Sequence, residues 1–169
     1  MKKVLKRTIY LNRIKPFIGK ELIKVLTGQR RVGKTTLLKQ IIEMIEEEDK
    51  GSNIIYINKE YNEFKHINTF TELYGHIKRL ISGKKNNYVF IDEVQEIEGF
   101  EKALRQLFAE GVDIYCTGSN ANLMSGDLAT LLSGRYIEFH INSLSYREFL
   151  QINDLLNNPE SFNLYIRYG

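Results

Sequence analysis

The chain has 169 residues, of which 43% are hydrophobic and 27% charged, with a net charge of +3. Such a chain removes about 70% of its unfolded surface from water, and its proportions are those of an ordinary globular domain, which excludes wholesale disorder, a collagen or a coiled coil. No apolar run approaches the roughly 18 residues of a membrane-spanning helix, and the single Cys116 excludes a disulfide framework or a cysteine-rich zinc site.

The basic start, Met1-Lys2-Lys3-Val4-Leu5-Lys6-Arg7, is interrupted by charge before an apolar stretch can form, so it does not read as a signal peptide. A cytoplasmic location with no membrane contact is therefore expected. Residues 22–27 (LIKVLT) form a short β-branched run that stops at Gly28, as a strand does. Leu37, Leu38, Ile41, Ile42 and Ile45 then recur at helical spacing. Residues 54–57 read as a second strand. Thr69 and Glu72 have capping-box spacing, ahead of a helix with Leu73 and Ile77 on its buried face. Residues 88–91 are a third strand, and Phe100, Ala103, Leu104, Leu107 and Phe108 mark a third helix. Residues 114–117 are a fourth strand, 121–132 a helix and 136–141 a fifth strand. Ser145 with Glu148 caps another helix, and Pro159 opens a last one. Strands that are continuous apolar runs, alternating with helices, predict an α/β fold with a parallel sheet covered on both faces.

Gly28-Gln29-Arg30-Arg31-Val32-Gly33-Lys34-Thr35 satisfies G-x-x-x-x-G-K-[ST], between an apolar strand and an amphipathic helix. The glycines allow a tight turn and close approach of phosphate. The intervening N–H groups and the start of the helix cradle a polyphosphate. Lys34 can reach the β- and γ-phosphates, and Thr35 offers a hydroxyl to Mg²⁺. The expected nucleotide-binding set is Gly28, Gln29, Arg30, Arg31, Val32, Gly33, Lys34, Thr35 and Thr36. The third strand ends in Asp92-Glu93, on the rim where ligands of parallel sheets collect. Asp92 is suited to hold the metal with Thr35, and Glu93 to orient or deprotonate an attacking water. After the fourth strand, Ser119 and Asn120 both qualify to position water or sense the γ-phosphate. Arg135, before the fifth strand, could stabilise phosphoryl charge in cis or from a neighbouring subunit. Lys2, Lys3, Lys6 and Arg7, and later Lys78, Arg79, Lys84 and Lys85, read as solvated faces that could also touch a nucleic-acid backbone.

With GQRRVGKTTLL from Gly28, YVFIDEVQEI from Tyr88, TGSNANLM from Thr117 and LLSGRYIEFHINSLSYREFL from Leu131, the chain resembles the AAA+-related P-loop ATPases of archaea and bacteria. Members usually have proline where this chain has Ser143. The resemblance implies a P-loop NTPase three-layer sandwich, a five-stranded parallel sheet with an extra strand between the phosphate-loop and metal-binding strands. It implies ATP with Mg²⁺ as ligands, Glu93 as the catalytic glutamate, and a sensor at Ser119 or Asn120. Residues 1–155 are expected to form the ATPase domain, and 156–169 the start of a further, truncated region. The expected activity is Mg-dependent ATP binding and hydrolysis coupled to a conformational change, with assembly into a homo-oligomer as a further expectation. The alternative is a nucleotide-gated switch or DNA-handling module with little turnover.

Overall fold

The computed structural model describes residues 4–83, 85–119 and 132–168. Five strands form one sheet: β1 (Ile23–Thr27), β2 (Asn53–Asn58), β3 (Asn87–Asp92), β4 (Asp113–Thr117) and β5 (Tyr136–His140). All pair in parallel, in the order β2-β3-β4-β1-β5. The expected extra strand is β4, lodged between β1 and β3. The three inner strands, β3, β4 and β1, are buried along almost their whole length, which explains why they read as unbroken apolar runs rather than as alternations.

The pleat sorts these side chains into two cores. Val25, Ile57, Val89, Ile91, Ile114 and Cys116 face one layer, where they meet α3 (Phe70–Leu80) and α4 (Phe100–Ala109) through Leu73, Ile77, Leu104 and Leu107. Leu26, Phe90, Tyr115 and Phe139 face the other, where they meet α1 (Thr8–Ile14) and α2 (Lys34–Glu48) through Leu11, Ile14, Leu37, Leu38 and Ile41. Phe90 and Tyr115 stack across β3 and β4 with ring centroids 4.6 Å apart. The result is the three-layer sandwich that the sequence predicts.

The capping boxes form as read. Thr69 and Glu72 close the start of α3, and Ser145 and Glu148 that of α5 (Tyr146–Asn153). Pro159 opens α6 (Pro159–Tyr168), where the Asn158 side chain accepts the Ser161 N–H at 2.8 Å. Tyr165 of α6 donates to the Leu144 carbonyl and packs on Phe149 of α5. The helix expected over 121–132 lies, Leu132 apart, outside the described residues.

Two features depart from the sequence reading. The basic start leads into α1, whose Tyr10, Leu11 and Ile14 are buried at i, i+1 and i+4 spacing. Arg7 is not a solvated charge: it is 5% exposed. A second cation, Lys24 of β1, is fully buried. It is paired with Asp113, donates to the Lys20 carbonyl at 2.9 Å, and lies 5.1 Å from the Tyr115 ring centroid. Burial holds its ammonium below the ordinary lysine range, with Asp113 opposing.

β1 and β5 converge at Gly28. Its φ is +138°, and a Cβ there would lie 2.2 Å from the Ile141 carbonyl oxygen. Gly28→Ala is therefore expected to cost about 3 kcal/mol, combining backbone strain with a clash against main chain. Gly19→Ala, at φ +69° with open space around it, should cost only about 1 kcal/mol. Urea unfolding of the two variants measures the difference.

Candidate functional site

Because every strand runs the same way, their ends meet on one rim, and each ends in a polar side chain: Thr27, Asn58, Asp92, Thr117 and His140. The phosphate loop leaves this rim after Thr27 and enters α2 at Lys34. Arg31 and Gly33 adopt positive φ of 71° and 94°, so the chain curls on itself, the conformation that turns successive N–H groups into an anion-binding concavity. The Lys34 ammonium folds back over the curl and donates to the Gly28 and Gln29 carbonyls, each at 3.0 Å. Burial lowers its pKa, while Glu93 and Asp92 oppose that shift. A cleft of about 450 Å³ opens here, lined by residues that include Arg31, Gly33, Lys34, Thr35, Thr36 and Glu93. Arg30 also borders it, exposed and 3.8 Å from Glu60.

Asp92 is fully buried at the tip of β3. One carboxylate oxygen accepts the Thr117 hydroxyl, and the other accepts the Asn58 amide at 3.1 Å and the Tyr56 hydroxyl at 3.5 Å. Glu93 follows in the left-handed conformation, φ 58°. Its N–H donates to the Thr117 hydroxyl oxygen at 3.0 Å. That one hydroxyl therefore fixes both acids. The Glu93 carboxylate is held through Oε2, which accepts the Ser119 hydroxyl at 2.9 Å and the Gln95 amide at 2.5 Å. A single 3₁₀ turn, Val94–Glu96, brings Gln95 back to Glu93.

Of the expected residues, the loop set, Asp92, Glu93 and Ser119 gather on this rim. Asn120 lies outside the described residues. Arg135 is exposed at the opposite end of β5, where its carbonyl accepts the Ile23 N–H. Five residues of strand, roughly 16 Å, separate it from the rim, more than its side chain spans. Thr117, Asn58 and Gln95 were not singled out from the sequence. For Thr117 and Asn58 the polar residue closing an apolar strand was the available signal. Beyond the loop, Thr27 donates to Glu138 of β5 at 2.5 Å and lies 3.3 Å from His140.

Among the described residues no cluster of three or more His, Cys, Asp and Glu side chains forms a metal cage. Magnesium is commonly held by one or two carboxylates together with phosphate oxygens, and a buried, oriented Asp92 next to the phosphate loop fits that pattern.

Comparison with known proteins agrees with this geometry. Residues 20–150 match the family model described as an AAA domain, and the chain belongs to that family. It is 40% identical over 159 residues to an uncharacterised protein of Haemophilus influenzae, covering 91% of this chain and 39% of that protein. It is 36% identical over 147 residues to an uncharacterised protein of Methanocaldococcus jannaschii, covering 87% and 31%. The chain thus spans less than two fifths of the length of these relatives. AMPPCP-bound DnaA from Aquifex aeolicus superposes with a TM-score of 0.63 at 14% identity, over 99% of this chain and 59% of that one. The Aeropyrum pernix ORC1 protein in complex with DNA does so at 0.61 and 14%, over 91% and 50%. At these identities the likeness shows the fold: an AAA+ P-loop architecture. No helix among the described residues is long and apolar enough to cross a membrane.

Thr117→Val keeps the shape of the side chain but removes the donor to Asp92 and the acceptor of the Glu93 N–H. A loss of about 1–3 kcal/mol is expected, the cost of leaving buried polar groups unpaired. Urea unfolding checks it.

Proposed function

We propose that this domain binds ATP with Mg²⁺ and hydrolyses the β–γ phosphoanhydride, using the energy to change conformation. At the family level the AAA+ fold supports an ATP-binding ATPase. The single observation that carries the finer reading is the division of labour between two adjacent acids. Asp92 is buried and fixed by three side chains, an oriented carboxylate suited to hold Mg²⁺ through the ion's water shell. Glu93 borders the cleft and, among the described residues, is anchored through one oxygen only. Its other oxygen, Oε1, is the acceptor for the proton of an attacking water.

In this reading Thr35 and Asp92 hold Mg²⁺, which supplies charge neutralisation at the phosphates. Lys34 exchanges its bonds to the Gly28 and Gln29 carbonyls for the β- and γ-phosphate oxygens. The loop N–H groups and the start of α2 bind the remaining phosphate charge. Ser119 and Gln95 keep the Glu93 carboxylate aimed across the cleft, and Asn120 is a further candidate to position the water.

The two donors on Glu93 also tie its carboxylate to Gln95 and Ser119, which favours a slow intrinsic rate. This is the observation behind the second reading, a nucleotide-gated switch with little turnover. Steady-state phosphate release decides between them. In the same experiment Lys34→Ala is expected to lose tight Mg-ATP binding while remaining folded. Glu93→Gln should still bind Mg-ATP and hydrolyse it roughly 10²–10⁴-fold more slowly, the usual worth of a positioned acid or base. Wild-type affinity in the first variant, or a wild-type rate in the second, refutes the assignment.

From the far end of β5, Arg135 is proposed to serve the cleft of a neighbouring copy. A supplied arginine is typically worth about 10³–10⁵ in rate, so the specific activity of the chain is expected to rise with protein concentration, and Arg135→Ala should flatten that rise. A dilution series for both proteins tests it. A rate independent of concentration and of the substitution makes Arg135 a surface charge.

A further inference from the structure

The guanidinium of Arg7 is committed on every side. It carries five N–H groups, and five bonds use them. Nε and Nη2 grip the Glu148 carboxylate as a fork at 3.0 and 3.2 Å. Nη1 donates to the Val32 carbonyl at 3.1 Å and to the Asn142 carbonyl at 2.9 Å. Nη2 also donates to the Ser143 carbonyl at 3.5 Å. The flat face of the group lies 4.6 Å from the Tyr10 ring centroid, and the Tyr10 hydroxyl accepts the Asn142 N–H at 3.0 Å. The segment carrying Arg7 is itself clamped to α2. The Arg7 N–H donates to the Gln40 side chain at 3.1 Å, and that side chain donates back to the Leu5 carbonyl at 2.8 Å.

The contact with Val32 reaches the phosphate loop. A peptide unit is planar and trans, so its carbonyl and N–H point in opposite directions, and the described residues contain no cis bond. Fixing the Val32 carbonyl on Arg7 therefore directs the Gly33 N–H to the opposite side. Without an anchor, this peptide is able to flip. A flip changes the φ of the following residue, and glycine accepts either sign of φ at little cost. The flipped peptide would present a carbonyl oxygen where a donor is needed.

We propose that Arg7 is a positioning residue for the nucleotide cleft, pinning the Val32–Gly33 peptide so that its N–H faces the polyphosphate. This rests on the reading of the cleft as an ATP site. The same guanidinium ties the loop to α5, because Glu148 also accepts the Ser145 N–H and hydroxyl that cap that helix, at 2.8 and 2.9 Å.

The test is calorimetric titration of the chain with Mg-ATP and, separately, with magnesium and inorganic tripolyphosphate, alongside steady-state hydrolysis. Arg7→Lys keeps the charge but not the fork. It is expected to weaken both ligands about tenfold, the equivalent of one well-formed hydrogen bond to a charged group, and to raise KM with kcat nearly unchanged. A merely structural role would lower the folded fraction, and so kcat, at unchanged KM. If the wild-type chain binds neither ligand, the ATP reading falls and this inference with it. If the wild type binds and Arg7→Lys binds equally well, only the role of Arg7 is overturned. Should Arg7→Lys not fold, Glu148→Gln carries the test. It preserves the side-chain shape, removes the charge opposite Arg7, and is expected to weaken tripolyphosphate about threefold through the loosened fork. Unchanged affinity in that variant overturns the proposal.

Discussion

Parallel pairing is the constraint on which the rest of this structure depends. A parallel sheet sends all its strand ends to one edge and must be covered by helices on both faces. Here the pairing Asn58 to Asp92, Leu26 to Thr117 and Thr27 to His140 sets the height of each polar tip. The acids of β3, the hydroxyl of β4 and the loop after β1 come together because their strands are in register, although the sequence scatters them widely.

The buried cations show how unevenly the domain distributes charge inside its core. Lys24 and Asp113 lock the lower end of β1 to β4, with the Gly19 N–H and the Tyr115 hydroxyl also donating to Asp113 at 2.8 and 3.1 Å. Arg7 and Glu148 lock the upper end, beside the phosphate loop. Burial alone would raise the Glu148 carboxyl, but the bonds from Ser145 and Arg7 outweigh it and hold the group below the ordinary carboxylate range. Its folded pKa is thus depressed. The stability it adds is present above the unfolded carboxylate pKa and is lost as the pH falls through the lower folded value. Removing one member of either pair leaves its partner buried and uncompensated, which is the costly case for an internal ion pair.

Most of the fold was legible because its signals are local. Five apolar runs, two capping boxes and the helical spacing in α2, α3 and α4 each name an element without reference to the others. The loop from Gly28 to Thr35 and the Asp92-Glu93 pair were legible for the same reason, as short strings in the right setting. What escaped depends on distance in the chain. Nothing near Arg7 reveals that its partners are Val32, Asn142 and Glu148, and a basic stretch at a terminus resembles a solvated one. Nothing local marks Lys24, a charge within an apolar strand, because its partner stands in β4. Thr117 and Gln95 acquire their contacts only when β3 and β4 pair and the turn after Asp92 closes.

The position of β1 has a further consequence for how the chain comes to be folded. Its two neighbours, β4 and β5, are the last strands in the sequence, with residues 24–26 paired to 115–117 and residues 23–27 to 136–140. On a ribosome, β1 and its loop emerge early and then wait, both edges bare, while most of the domain is still being made. Such non-local pairing is slow, and an unpaired apolar strand invites association with other chains. A lysine near the start of that strand is the kind of charge that discourages such contacts. Lys24 would then guard β1 while it is exposed, and become part of the core only when Asp113 arrives to receive it.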